Sequence, residues 1–171
     1  YEYRQVENPL AKFGAEVDLP PLSRLEQVTQ PDGSTTTYEY LFDILLGSVT
    51  DPLERVTTFG YDLEELNLQP VSVTSPSGAM TSFTYDAVGR VVSTVSPRGN
   101  EAGADPEAFR TSYTYDNVGR LLMQTDALGR ATANGYDAAG QLVTTTDPVG
   151  GVTAYEYNPA GERTAEVAPN G

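Results

Sequence analysis

Hydrophobic positions recur along this chain with a short rhythm and a long one. Within short stretches, apolar and polar residues alternate, as in Ser112-Tyr113-Thr114-Tyr115 and Ala154-Tyr155-Glu156-Tyr157, the period of two that marks half-buried β-strands. A helical period of about 3.6 residues is sustained nowhere over a useful length, so helices are not expected. The long rhythm is carried by Tyr40, Tyr61, Tyr85, Tyr115, Tyr136 and Tyr157, spaced 21, 24, 30, 21 and 21 residues apart. Gly99, Gly129, Gly150 and Gly171 follow four of those tyrosines by 14 residues each. Both anchor sets share a 21-residue period once two insertions are removed: three residues between Tyr61 and Gly78, and nine around 100–108. Arg24 to Gly33 keeps the register of Arg90 to Gly99. The reading is one repeat region over 1–171, with 1–23 a degenerate or longer first repeat opened by Tyr3 and regular repeats over 24–171.

One unit shows why the period makes hairpins. Asp116-Asn117-Val118-Gly119 places Asp at the first and Gly at the fourth position of a type I turn. Arg120 to Thr125 then predicts a strand, Asp126 to Gly129 a second turn, and Arg130 to Tyr136 a second strand. Proline at the second turn position in Asp51-Pro52, Ser96-Pro97 and Asp147-Pro148 presets the required φ, and Pro31-Asp32-Gly33 makes a similar turn.

Alternation in the second strand selects a face. Two residues before the anchor tyrosines stand Tyr38, Phe59, Phe83, Tyr113, Asn134 and Tyr155, with small or polar residues between. The pairs Tyr38 and Tyr40, Phe59 and Tyr61, Phe83 and Tyr85, Tyr113 and Tyr115, and Tyr155 and Tyr157 therefore share one face. Stacked repeats would align the rings into files, with Leu25, Leu46, Val91, Leu121 and Leu142 of the other strand packing beside them. The predicted fold is all-β: repetitive antiparallel hairpins in a meandering sheet with one face richer in rings.

Two places break the pattern. After Tyr40 the turn reads Leu41-Phe42-Asp43-Ile44 without glycine, and Glu54 stands where the register expects Gly. With the insertion in Leu63-Glu64-Glu65-Leu66, these are read as longer or bent connections. The acidic, small-residue segment from Asn100 to Ala108 is read as an exposed hairpin loop.

Composition narrows the chemistry. Among 171 residues there is no His, Cys or Trp, which excludes imidazole acid-base work, thiol nucleophiles, disulfides and Cys/His metal sites. Lys12 is the sole lysine, leaving little room for Schiff-base chemistry. A net charge of −14 argues against nucleic acid and anionic membranes as partners. No apolar run approaches the length of a membrane span. Tyr1-Glu2-Tyr3-Arg4 is no signal peptide, and the chain reads as beginning inside a longer one.

The motifs Tyr85-Asp86-Ala87-Val88-Gly89-Arg90, Tyr115-Asp116-Asn117-Val118-Gly119-Arg120 and Tyr136-Asp137-Ala138-Ala139-Gly140-Gln141 resemble the YD repeat, Y-D-x-x-G-R. Tyr157-Asn158-Pro159-Ala160-Gly161-Glu162 is a degenerate copy. The resemblance covers 24–171 and is to the family of Rhs proteins, wall-associated bacterial toxins, C components of insecticidal Tc toxins, and teneurins. It implies β-hairpins winding as a spiral sheet into a hollow shell, which encloses a C-terminal toxic domain in the bacterial members and supports adhesion in teneurins. It implies no catalytic, cofactor or metal site in this region. The partners implied are the remainder of a longer chain and an enclosed toxin domain, at a secreted or cell-surface and bacterial location. Asp147-Pro148-Val149-Gly150-Gly151 matches only four positions of the D-P-x-G-L self-cleavage motif of such shells, and a plain repeat turn accounts for it.

Other readings of the same residues are weaker. A glycosidase needs two carboxylates facing across a sugar, whereas most Asp here take the first turn position and cap backbone amides. No D-x-D-x-D-G loop for calcium occurs. Arg90, Arg120 and Arg130 are read as surface ion pairs, in preference to pairing with acids of adjacent repeats. The ring files allow an adhesin that binds glycan, and the open sheet edges allow self-association, up to a filament.

Overall fold

The computed structural model describes residues 2–6, 22–63 and 68–169, with side chains described for 2–3, 24–63 and 68–169. These residues form an all-β chain that divides into two compact units, residues 1–80 and 81–171. The first unit holds β1 (Glu2–Val6), β2 (Leu22–Thr29), β3 (Thr35–Leu41), β4 (Leu45–Thr50), β5 (Val56–Tyr61) and β6 (Pro70–Thr74). The second holds β7 (Met80–Tyr85, but for its first residue), β8 (Val91–Val95), β9 (Arg110–Tyr115), β10 (Leu121–Thr125), β11 (Ala131–Tyr136), β12 (Leu142–Thr146), β13 (Val152–Tyr157) and β14 (Arg163–Val167). In each unit every strand pairs antiparallel with its neighbours in the chain, as the alternating pattern and turn signals predict. The three extra residues near 63–66 fall largely outside the described residues, as does most of 1–23.

Two hairpin geometries alternate. At turns such as Asp126 to Gly129, β10 and β11 pair in plain register through Met123 opposite Ala133 and Thr125 opposite Ala131. At the turns that follow the anchor tyrosines, the register slips by one residue. Tyr115 faces Leu121 but Thr114 faces Met123, which leaves Leu122 as an extra residue. The same slip leaves Gly47, Val71, Val92, Val143 and Thr164 as extra residues in the strands that follow the other anchors. This bulge adds local twist and turns the start of the next strand toward the ring face. Leu46, Val91, Leu121 and Leu142 consequently stand directly opposite Tyr40, Tyr85, Tyr115 and Tyr136.

Substantial packing is confined to strands adjacent in the chain, so neither unit closes a second layer over its sheet among the described residues. Leu45 and Val95 are the only large apolar side chains there that reach 7% exposure or less. A sheet so thin depends on backbone pairing and on side chains that tie strand to strand.

The segment after Val95 carries two 3-10 turns, Pro97–Asn100 and Pro106–Phe109, and then re-enters the sheet with Ser93 opposite Ser112. Most of residues 101–108 are exposed. Asn100 anchors the segment, its amide donating to the carbonyl of Val95 at 3.1 Å and accepting from the Ser82 hydroxyl at 3.0 Å. Gly99 is forced by close approach: a Cβ there would lie 2.5 Å from Val95 Cγ1 and 2.8 Å from Phe109 Cβ.

The connection after Tyr40 corrects the expectation of a long or bent link. It is a tight turn in which Phe42 (φ 50°) and Asp43 (φ 63°) are both left-handed, and Ile44 N donates to Leu41 O at 3.1 Å. Asp43 tolerates that conformation, and its carboxylate is also held by Arg24. The turn from Asp51 to Arg55 likewise keeps the standard geometry, with Glu54 forced to φ 59° in place of glycine.

Candidate functional site, the files of tyrosine and arginine

Each Asp-x-x-Gly-Arg segment folds on itself first. In the turn after Tyr85, Asp86 Oδ1 accepts from the backbone amides of Val88 (3.0 Å) and Arg90 (2.9 Å), and Oδ2 accepts from Arg90 Nε at 2.6 Å. Gly89 N donates to Asp86 O, and Asp86 N to Arg90 O, closing a three-residue loop that needs the left-handed φ of 86° found at Gly89. The turn after Tyr115 repeats this with Asp116, Gly119 and Arg120. At the third copy Asp137 keeps the amide bond to residue 141 and Gly140 the left-handed φ, and at the fourth Asn158 and Gly161 do the same.

Of the two readings of the arginines, the surface ion pair is the one found, and pairing with acids of adjacent repeats is not. Arg90, Arg120 and Arg130 each bind the Asp of their own turn, because a separation of four residues across a tight turn brings carboxylate and guanidinium within reach. What Arg90 and Arg120 give the adjacent repeat is different. Arg90 Nη1 donates to the carbonyl of Asp116 at 2.9 Å, and its guanidinium lies 5.0 Å from the centre of the Tyr115 ring. Arg120 reaches the carbonyl of Asp137 at 3.4 Å and lies 4.8 Å from the Tyr136 ring. In the first unit Arg24 lies 5.3 Å from the Tyr40 ring and binds Asp43. Such cation–π contacts contribute about 0.5–1 kcal/mol each where partly exposed.

The anchor tyrosines perform a task that spacing alone did not reveal. The hydroxyl of Tyr40 donates to Leu25 O, Tyr61 to Leu46 O, Tyr136 to Leu121 O and Tyr157 to Leu142 O, at 2.8–3.0 Å and a constant separation of 15 residues. Tyr115 donates to Val91 O at 2.8 Å across 24 residues, because the inserted loop lies between them. The plain-register hairpins stop pairing after three residue pairs, and the phenol takes up a carbonyl just beyond the last one. Leu46, Val91, Leu121 and Leu142 each stand between two tyrosines, opposite one and hydrogen-bonded by the next. The signal in the sequence is the coincidence of the Leu/Val register with the tyrosine register, which packing alone also explains. Burial pushes the phenol of Tyr85 above its ordinary value.

The second ring file, Tyr38 and Phe59 in the first unit and Phe83, Tyr113 and Tyr155 in the second, is half-buried. Its cross-strand partners are Val49, Val73, Thr94, Gln124 and Glu166. Asn134 takes the ring position in β11, where its amide donates to Leu121 O (3.2 Å) and accepts from the Thr145 hydroxyl (3.1 Å). Arg163 covers one side of the Tyr155 ring at 5.3 Å.

Electrostatics follow the turns. The amide of Arg90, with its guanidinium, holds the Asp86 carboxyl below the ordinary carboxylate value. For Asp116, partial burial opposes the shift, and the amide and guanidinium of Arg120 outweigh it, so its value is also lowered. Arg55 and Arg130, through their side chains first, lower Asp51 and Asp126. No group of three or more His, Cys, Asp or Glu among the described residues is arranged to hold a metal ion. A depression of about 400 Å³ in the first unit lies among Arg24, Glu26, Glu39 and Tyr38, and another of about 490 Å³ among Thr35, Thr50, Asp51 and Val56. Chemically, the conserved-spacing residues bond to one another and to backbone.

Comparison with known proteins agrees with this geometry. The family model for the RHS Repeat matches residues 66–101 and 136–171. No curated protein matches. Among solved structures, the crystal structure of TcdB2-TccC3 without its hypervariable C-terminal region aligns over 87% of this chain and 10% of that one, at 21% identity and a TM-score of 0.50. TcdB2-TccC3 in another crystal structure (15% identity, TM-score 0.36, 88% of this chain and 11% of that one) and the Photorhabdus luminescens Tc holotoxin pore (14%, 0.22, 88% and 13%) also match. The chain spans about a tenth of the length of the first of these, and that likeness is one of fold. With repeats of the expected motif and the hairpin architecture they predict, residues 66–101 and 136–171 are thus similar to the RHS Repeat family.

Proposed function

We propose that this chain is a non-catalytic length of wall in an RHS-type shell, one that encapsulates or scaffolds a toxin or an adhesive ectodomain. The observation that carries the reading is where the motif's polar groups go. Anchor tyrosine hydroxyls bind backbone carbonyls of neighbouring strands, turn aspartates bind their own amides and arginines, and arginines reach the next repeat. Side chains used in this way seal a thin sheet along its length and leave it without a thick core of its own. A wall of continuous backbone pairing keeps proteases and partners from whatever lies behind it. Its partners on this reading are the remainder of a longer chain and an enclosed domain, and its location is secreted or on a bacterial cell surface.

Limited proteolysis of the full-length protein tests this. The region on the enclosed side should survive in the parent chain and become digestible when the wall is broken by Gly99→Asp, which drives a charged side chain between Val95 and Phe109. Equal digestion of the enclosed region in both proteins would refute the wall.

A further inference from the structure

The repeats of the second unit are strapped together by arginine up to one boundary and not across the next. From the turn at Asp86 to the turn at Asp116, and from there to the turn at Asp137, one guanidinium makes three contacts: an ion pair in its own turn, a hydrogen bond to the next turn's carbonyl, and a stack on the next tyrosine. At the third boundary the residue is Gln141. Its amide ends beside the next turn, 3.3 Å from where a Cβ on Gly161 would lie, as Arg120 Nη1 ends 3.5 Å from that point on Gly140. The side chain of Gln141 makes no hydrogen bond among the described residues, and no guanidinium there stands over Tyr157. The cation of the last hairpin, Arg163, is turned inward to Tyr155 and Glu166 of that same hairpin.

We infer that Gln141 marks a seam built into the sheet, at which the β13–β14 hairpin opens as a unit separate from β7–β12. Across the boundary stand the short pairing of Thr144 to Thr146 with Val152 to Ala154, the Asp147 turn that joins the two strands, and the Tyr157 hydroxyl on Leu142 O. In a repeat sheet, where each unit contacts only its neighbours, removing one interface contact lowers cohesion at that interface and at no other. The inference concerns cohesion and is independent of what the wall encloses.

Native-state hydrogen exchange on the whole chain reads this directly, strand by strand. Gln141→Arg should slow exchange of the β13–β14 amides about tenfold, the effect of one added charge-assisted contact, and leave β8–β10 unchanged. Arg120→Gln should add a second seam one repeat back, so that β11–β12 amides exchange about tenfold faster while those of β13–β14, which already open at Gln141, change little. Gln141→Lys supplies the same charge without a planar fork and should slow exchange much less. Unchanged β13–β14 rates in Gln141→Arg would overturn the seam. So would equal slowing by Lys and Arg, or an even loss of protection over every strand in Arg120→Gln.

Discussion

Replacing Tyr115 by Phe removes one oxygen and nothing else, so it isolates the hydroxyl that reaches from β9 to the carbonyl of Val91 at 2.8 Å. The bond is partly buried, and losing it strands a carbonyl beyond the point where strand pairing has ended. A net loss of about 1 kcal/mol is expected, with the full penalty of a buried orphan acceptor avoided because water reaches the site. In a chain of this size that lowers the melting temperature by about 2–4 °C. Tyr136→Phe should cost roughly half as much, since the Asn134 amide still bonds Leu121 O. Tyr113→Phe and Tyr155→Phe are the internal controls: their rings share the same face, but their hydroxyls bond nothing among the described residues. Urea unfolding followed by circular dichroism supplies the comparison, with midpoints shifting and slopes constant. If Tyr113→Phe costs as much as Tyr115→Phe, or if Tyr115→Phe costs nothing, the anchor tyrosines act only as rings and the reasoning fails.

Two other outcomes follow from the turns. Glu54 holds a left-handed φ of 59° that costs a non-glycine residue about 1–2 kcal/mol, so Glu54→Gly should raise stability by about 0.5–1 kcal/mol after the entropy of the freer unfolded chain is deducted. A lower melting temperature in that variant would contradict the turn geometry. Asp51, Asp86, Asp116 and Asp126 all have carboxyls lowered by the amides and guanidinium groups that bind them, so the unfolded chain takes up their protons first as pH falls. Their contribution is complete above the ordinary unfolded carboxylate value near pH 4 and disappears as pH drops through the lowered folded-state values. Melting temperature measured from about pH 6 down to pH 2.5 should therefore fall mainly below about pH 4, and Asp86→Asn with Asp116→Asn should flatten that fall.

The elements that were legible in advance are those decided by neighbours in the chain. Asp116 and Gly119 specify a turn because the Asp side chain caps amides two and four residues on and the glycine accepts a left-handed φ. Tyr113 and Tyr115 share a face because a strand alternates, whatever its surroundings. Those rules act within about five residues, and repetition made them readable many times over. The turn at Phe42 and Asp43 was not legible, because Phe42 does not announce a type I′ turn and the carboxylate's partner, Arg24, lies 19 residues away. The arginine ion pairs were legible as ordinary surface pairs, since a tight turn brings Arg90 back to its own Asp86 before any other acid, whereas the ring each guanidinium covers was not.

By itself the amino-acid order determined a 21-residue period, hairpins, a ring-bearing face and an all-β chain. Only the tertiary structure decided the bulge after each anchor, and hence which carbonyl each phenol meets and which ring each guanidinium covers. Period and alternation are properties of one strand, whereas those contacts exist only once the register between strands is set. The bond from Tyr115 to Val91 across 24 residues, the inserted loop included, carries that register and is written in neither residue alone.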